Sequence, residues 1–235
     1  INAVGAVHHR HDAHLKPQKF VADMAAYVKK NGVDIRENTE VIGFEKNGSR
    51  ISGIKTTRGD INADQVVLAA GSWSYPVGNM LGLSLPIQPA KGYSITVRRP
   101  EHWPEVPMVL AEAKIGVTPM VDTLRFAGTL ELAGFDESVN QRRVEAILRA
   151  IPRYLPDVDV SELETIEVWR GLRPCTPDGL PFLGRPSTCD NLVLAAGHAM
   201  IGVSLGPVTG ILVSQIISGE PPSIDINALD VDRFS

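Results

Sequence analysis

A chain of 235 residues, 43% hydrophobic and 21% charged, is long enough to bury a substantial core in one large domain or two small ones. Its formal net charge of −4, with acids and bases interspersed, excludes the basic footprint of a nucleic-acid-binding protein. The two cysteines, Cys175 and Cys189, show neither CxxC nor zinc spacing, which excludes a recognisable metal set or disulfide framework and makes a reduced, cytoplasmic setting the expectation.

The first residues carry no basic stretch followed by an apolar one, so no signal peptide is expected. Residues 17 to 31, "PQKFVADMAAYVKKN", open with proline and are followed by Gly32. Phe20, Val21, Met24, Ala25 and Val28 share one face, which predicts an amphipathic helix. Strand-like runs "VDIRE", "EVIGFEK" and "RISGIKTT" follow, with Asn47-Gly48 joining the last two as a tight hairpin. "DQVVLAAG" (64 to 71) is apolar without alternation, as a strand covered on both faces would be.

From Pro86 the texture changes. "YSITVRR", "PMVLAEAKIGVTPM" and "TLRFAGTLELAG" predict an antiparallel sheet. "SVNQRRVEAILRAIPRYL" (138 to 155) predicts a helix with Val144, Ile147, Leu148 and Ile151 inward. "VWRGLRPCTPDGLPFLG" (168 to 184) sets Arg170 and Arg173 among breakers and reads as a rigid loop. "NLVLAAG" then repeats the texture of "QVVLAAG", ahead of a helix expected from about Gly206 to Ser218. The stretch from Asn191 to Gly219 has no Asp, Glu, Lys or Arg and could cross a bilayer by length. It also holds His198, Pro207 and five glycines, so a strand, a turn and a helix account for it better. The expected class is α/β plus α+β, with one domain from residues 1–85 and 186–235 and a second, antiparallel-sheet domain from 86–185.

Two strand ends carry the most specific signal, "VVLAAGSWS" and "LVLAAGHAMIGVSLGPVTG". Small residues at such ends let backbone approach a flat or phosphorylated ligand, and ligands of open α/β sheets sit at carboxyl ends of strands. The glycines at 197, 202, 206 and 210 lead into a helix whose amino terminus would stabilise negative charge.

These ends, with "HLKPQKFVADMA", "TEVIGFE", "PIQPAKGYSITV", "WRGLRPCTPDGLPFLG" and "DVDRF", resemble the glycine oxidase and D-amino-acid oxidase or dehydrogenase family of FAD-dependent enzymes. The element from Pro89 to Ser94 is most similar to the bacterial D-amino-acid dehydrogenase branch. The resemblance implies a partial glutathione-reductase-type FAD-binding domain (1–85 and 186–235) and a substrate-binding domain (86–185). It also implies FAD as cofactor and hydride transfer from the Cα of an amino acid to the flavin. The cofactor contacts implied are Val41, Ala70, Gly71, Trp73, Gly197, His198, Ala199, Met200, Ile201, Gly202, Val203 and Ser204. The implied substrate contacts are Arg173, at the arginine of Gly-Leu-Arg-Pro, and Tyr93. No side chain is assigned as catalytic. In the family a GxGxxG turn holds the pyrophosphate. Here no two of the 21 glycines are separated by a single residue, so the chain resembles the later two thirds of such an enzyme. An electron acceptor at the membrane is a further implication, making the expected localisation cytoplasmic or peripheral to the inner membrane.

Plainer readings stand beside these. A guanidinium pairs two-pronged with a carboxylate, so Arg173 can hold a substrate or tie its loop to Asp178; Arg170 suits a structural role. His198 fits a satisfied loop histidine, Trp73 a core aromatic, and the cluster "HHRHDAH" (8 to 14) a solvated loop, since no Cys or Glu completes a metal set. Cys175 sits too late relative to Thr-Pro-Asp to match the flavin-tethering cysteine of the related sarcosine oxidases. Alternatives to D-amino-acid oxidation are oxidation of a cyclic or N-methylated amino acid, a catalytically inert partial chain or subunit, and an ordinary α/β scaffold.

Overall fold

The computed structural model describes residues 2–101, 103 and 105–234; the outermost residues of the expected domains, 1 and 235, lie outside them. The chain divides into two compact units. One comprises the chain to Asn31 with Ala90–Leu172, the other Gly32–Pro89 with the chain from Arg173.

In the first unit, α1 (Pro17–Lys30) begins with proline at its first position, where the missing N–H costs nothing. The expected helix is there, but none of its residues is buried, and Phe20, Val21 and Met24 are exposed. The strands β4 (Gln88–Arg98), β5 (Met108–Leu110), β6 (Ile115–Pro119), β7 (Thr123–Glu131) and β8 (Thr165–Cys175) form one sheet in the order β5-β6-β7-β4-β8, the first two residues of β4 and the last three of β8, from Arg173, being counted with the other unit. The pairs β5–β6, β6–β7 and β4–β7 are antiparallel. Along β6 and β7 buried and half-buried residues alternate, the period-two pattern of a sheet with one face on a core. That core joins Ile95, Val97, Val117, Leu124 and Phe126 to Val144, Ile147 and Ile151 of α3 (Gln141–Tyr154). The "PMVLAEAKIGVTPM" run is two strands because Lys114 takes a positive φ of 53° at the turn.

The breaker-rich segment departs from expectation. Arg170 and Arg173 lie on β8, an eleven-residue strand. As the edge of its sheet, β8 tolerates Pro174, which cannot donate to a ladder. At Gly171 an added Cβ would lie 2.2 Å from the Trp169 ring, so the glycine makes room for the indole.

In the second unit, β1 (Val41–Asn47) and β2 (Arg50–Thr56) pair as a hairpin, with Asn47 opposite Arg50 and a positive φ at Gly48. "VDIRE" forms no strand. A three-stranded sheet has the order β3 (Val66–Leu68), β10 (Leu192–Ala196), β9 (Phe182–Gly184). β3 and β10 run parallel, with Val66, Val67 and Leu68 opposite Leu192, Val193 and Leu194. The core gathers Leu81, Leu83 and Leu85 around Phe182, Leu192 and Leu194. Buried Asn191 ties the hairpin to this sheet: its side-chain oxygen accepts the Ile51 N–H at 2.8 Å, and its amide donates to the carbonyls of Ile51 at 3.0 Å and Asp64 at 3.2 Å. After β3 a 3-10 turn (Gly71–Trp73) leads into the short α2 (Ser74–Asn79); α2 and β9 are not signalled by the sequence.

The helix α4 (Gly202–Ser218) starts a turn before the expected Gly206 and ends at Gly219, whose left-handed φ of 73° closes the cap. It has no charged residue, yet only Leu212 of it is buried. No described helix is long and apolar enough to cross a membrane.

Candidate active site

Because β3 and β10 are parallel neighbours, Ala69-Ala70-Gly71 and Ala195-Ala196-Gly197 leave the same end of one sheet. Gly71 (φ 56°) and Gly197 (φ 85°) both turn the chain through the left-handed region at that end. At Gly71 an added Cβ would meet nothing within 4 Å, which is open space. At Gly197 it would lie 2.7 Å from Cγ2 of Thr176, so there the glycine admits the chain that follows β8. A second tie joins the same segments: the Ala199 N–H donates to the Pro174 carbonyl at 3.0 Å. Arg173 to Thr176 are thereby fastened to the Gly197–Ala199 loop.

Within this frame Arg173 stands out. Asp178 does not take it, because that carboxylate is already bound in two-pronged fashion by Arg233, at 2.8 and 3.1 Å. The Nη1 of Arg173 is buried and makes no hydrogen bond among the described residues. Burial lowers the affinity of its guanidinium for the proton, opposed only by Cys175, whose thiol burial in turn raises. An arginine stays charged regardless, so a half-buried cation with an unused donor is suited to an anion. Arg170 differs: its Nη2 pairs with the Glu137 carboxylate at 3.3 Å, and its Nε donates to the Glu137 carbonyl.

The loop after β10 holds its shape under strain. Ala199 has φ 47°, rare for a residue with a Cβ, and directs the chain into α4. Nε2 of His198 lies 3.0 Å from the Thr209 hydroxyl on α4, and burial depresses its pKa, which keeps the ring neutral near pH 7. Met200, Ile201 and Val203 are exposed, Ser204 is exposed, and Gly202 is half-buried, all at the amino terminus of α4 where backbone N–H groups lack helical partners. Trp73 is half exposed at 49%, placing it at the sheet end rather than in the core. Val41, half-buried, begins β1 opposite Thr56.

Tyr93 is placed otherwise than expected. It is 1% exposed within the core of the first unit. Its hydroxyl donates to Glu131 at 2.7 Å and accepts the Asn140 N–H at 3.2 Å, so no lone group remains to reach a substrate carboxylate. Near it lies the polar centre that sequence reasoning missed: fully buried Lys91 donates to Asp136 and to the Ser138 carbonyl, each at 2.9 Å, and sits 3.7 Å from Glu131. Residues 8 to 14 are exposed, and no described group of three or more His, Cys, Asp or Glu could hold a metal.

At one end of this sheet the structure thus brings together two Ala-Ala-Gly strand ends, a strained loop, a helix amino terminus and an arginine with an unused buried donor. The chain matches the FAD dependent oxidoreductase family over residues 2–216 and belongs to it. It is 39% identical over 226 residues to a D-amino acid dehydrogenase of Paramagnetospirillum magneticum, covering 95% of this chain and 52% of that protein. It is 34% identical over 194 residues to a glycine oxidase of Pseudomonas aeruginosa, covering 82% and 52%. Its fold matches the crystal structure of glycine oxidase from Geobacillus kaustophilus with a TM-score of 0.84 at 30% identity, over 91% of this chain and 57% of that one. The chain thus spans about half the length of the curated relatives it matches.

Proposed function

We propose that these residues form the substrate-holding and flavin-contacting part of an FAD-dependent amino-acid oxidoreductase that converts D-amino acids to 2-oxo acids and ammonia. The observation carrying this reading is the buried, unused Nη1 of Arg173, on a strand end fastened to the Gly197–Ala199 loop. When bound, FAD supplies the hydride acceptor. Arg173 grips the substrate's α-carboxylate and so fixes the direction of its Cα–H, and positioning of this kind supplies several kcal/mol of barrier reduction, about 7 to 11 where alignment is best. At Gly71, beside Ala70, the space beyond the backbone is open, which leaves room for an aromatic ring system to lie against it. The N–H groups at the start of α4, which lack helical partners, would favour negative charge on that ring system. With no acid or base assigned, the substrate enters with its amine neutral, and rate rises with pH until the amine has lost its proton.

The relatives named D-amino acid dehydrogenase support the substrate class, and the 235 residues contain no GxGxxG, so the pyrophosphate falls to residues other than these. Two exposed features fit such a completing nucleotide-binding segment: β3 is an outer strand of a sheet with parallel pairing, and α4 is charge-free and almost unburied. Parallel sheets are ordinarily covered on both faces. The same features favour the competing reading of a catalytically inert chain. Purified full-length protein decides between them: a flavin absorption band with turnover of D-alanine supports the enzyme, and colourless protein without turnover overturns it. Faster turnover of D-proline or sarcosine than of D-alanine would shift the substrate to a cyclic or N-methylated amino acid.

A further inference from the structure

The turn between Arg173 and β9 has little to hold it. Residues 177–180 are exposed, Leu180 included, so no apolar anchor fixes it. Beyond its own hydrogen bonds, from the Gly179 N–H to the Thr176 carbonyl at 3.3 Å and from the Leu180 N–H to Asp178 at 3.1 Å, what holds it comes from the far end of the chain. Arg233 donates from Nε and Nη2 to the two oxygens of Asp178 at 2.8 and 3.1 Å, and from Nη2 to the Leu180 carbonyl at 2.8 Å. Its guanidinium lies 4.0 Å from the centre of the Phe182 ring and 5.0 Å from that of Phe234. Phe182 is wholly buried, and the two rings meet edge to face at 6.0 Å.

Exposed ion pairs contribute little, but this one is of the stronger kind. The arginine side chain is 13% exposed, the pair is two-pronged, and the cation is stacked on aromatic faces. The segment bearing it is itself anchored. Val231 is buried, Asp232 accepts the Ser187 N–H at 2.7 Å, and Arg233 returns a bond to the Asp230 carbonyl at 2.8 Å. Asp178 reflects the clamp: hydrogen bonding by Arg233, against some burial, lowers its pKa to about 2.

The turn transmits this position. The Leu180 carbonyl that accepts from Arg233 also accepts the Thr176 hydroxyl, at 2.8 Å. The methyl of Thr176 fills the space that Gly197 leaves, and two residues back the Pro174 carbonyl takes the Ala199 N–H. From Arg233 to the residue following Arg173, each link is a hydrogen bond, a close packing contact or a peptide bond.

We infer that Arg233 is a positioning residue: through Asp178 and the Leu180 carbonyl it fixes the 176–180 turn and thereby the aim of the Arg173 guanidinium. The inference rests on Arg173 being the carboxylate anchor. It assigns to the C-terminal "DVDRF" a task in substrate orientation, at a distance in sequence of 60 residues from the arginine it serves.

The test uses the flavin-loaded full-length protein and benzoate, a carboxylate with no α-hydrogen to lose, titrated by the change in flavin absorption. Arg233→Ala is expected to weaken benzoate and raise KM for D-alanine about tenfold, with kcat within about twofold, since a small misplacement of an orienting group has effects of this size or larger. Arg233→Lys, which keeps the charge but loses the fork and the stack, is expected to lose about threefold and serves as the measurement if the alanine variant does not fold. In an Arg173→Ala background the further change Arg233→Ala is expected to have no added effect on benzoate, because the clamp acts only through that arginine. Additive losses, or equal losses in kcat and flavin content with benzoate affinity intact, overturn the positioning role. If Arg173→Ala alone leaves benzoate binding unchanged, the carboxylate anchor itself is overturned, a result distinct from an unaffected Arg233→Ala.

Discussion

Lys91 and Arg173 are both withdrawn from water, and they are treated oppositely. Lys91, 0% exposed in the first unit, has Asp136, the Ser138 carbonyl and Glu131 around its ammonium. Burial pushes its pKa down, and the hydrogen bond to Asp136, together with the neighbouring Tyr93, more than reverses this, leaving it above the ordinary lysine value. Arg173 in the second unit has burial pushing the same way and only Cys175 opposing it. A buried charge that its own protein satisfies makes the loss of either partner costly to the fold, whereas one left with an unused donor is suited to an anion, because desolvation without a partner is costly.

The largest effect that would break this contrast is on stability at Lys91. Lys91→Met strands Glu131 and Asp136 and is expected to cost about 3 kcal/mol, at the low end for a buried cluster because Asp136 is half exposed and can hydrate. At this chain length that lowers Tm by roughly 6 to 12 °C in thermal unfolding. Arg173→Ala should do the reverse. It is expected to leave Tm unchanged or slightly higher, since it removes an unsatisfied buried donor, while weakening carboxylate binding by about 2 kcal/mol, roughly thirtyfold. A drop in Tm as large as that of Lys91→Met would mean that Arg173 is structural.

A smaller effect is expected in acid. The folded pKa of Asp178 lies at about 2, below its usual 3.8, so its pairing contributes stability above pH 3.8 that is lost as pH falls toward 2. Asp178→Asn should flatten the stability profile in that window and leave pH 7 to 9 parallel to the wild type; urea titrations at each pH read this directly. Smallest is His198. Its pKa is depressed by burial, so the unfolded chain takes up the proton first, and stability falls as pH drops below about 6.5. His198→Asn should remove that step, with a pH-independent difference from the wild type above it.

Legibility in the sequence followed how local each cause is. α1 and α3 were readable from periodicity and proline placement, and the strand ends at 71 and 197 from their glycines, whose positive φ is a property of single residues. β8 was not readable, because breakers argue against a strand unless it lies at an edge, and edge position depends on partners far away in sequence. Tyr93 failed for a related reason. On β4 nine consecutive residues are buried, so no alternation marks which way the ring points. "VVLAAG" and "LVLAAG" are nearly identical, yet one forms a three-residue outer strand and the other a five-residue central strand. Their neighbours, not their residues, set that difference.

By itself the sequence determined the family, the two glycine-ended strands and the arginine of Gly-Leu-Arg-Pro, because each is written in contiguous residues with their own conformational or chemical preference. Only the tertiary structure decided which carboxylate each arginine keeps. Asp178 lies 5 residues from Arg173 and 55 from Arg233, yet it pairs with Arg233. The physical reason is that an ion pair is decided by distance and desolvation in three dimensions, and it is this choice that leaves Arg173 its unused donor.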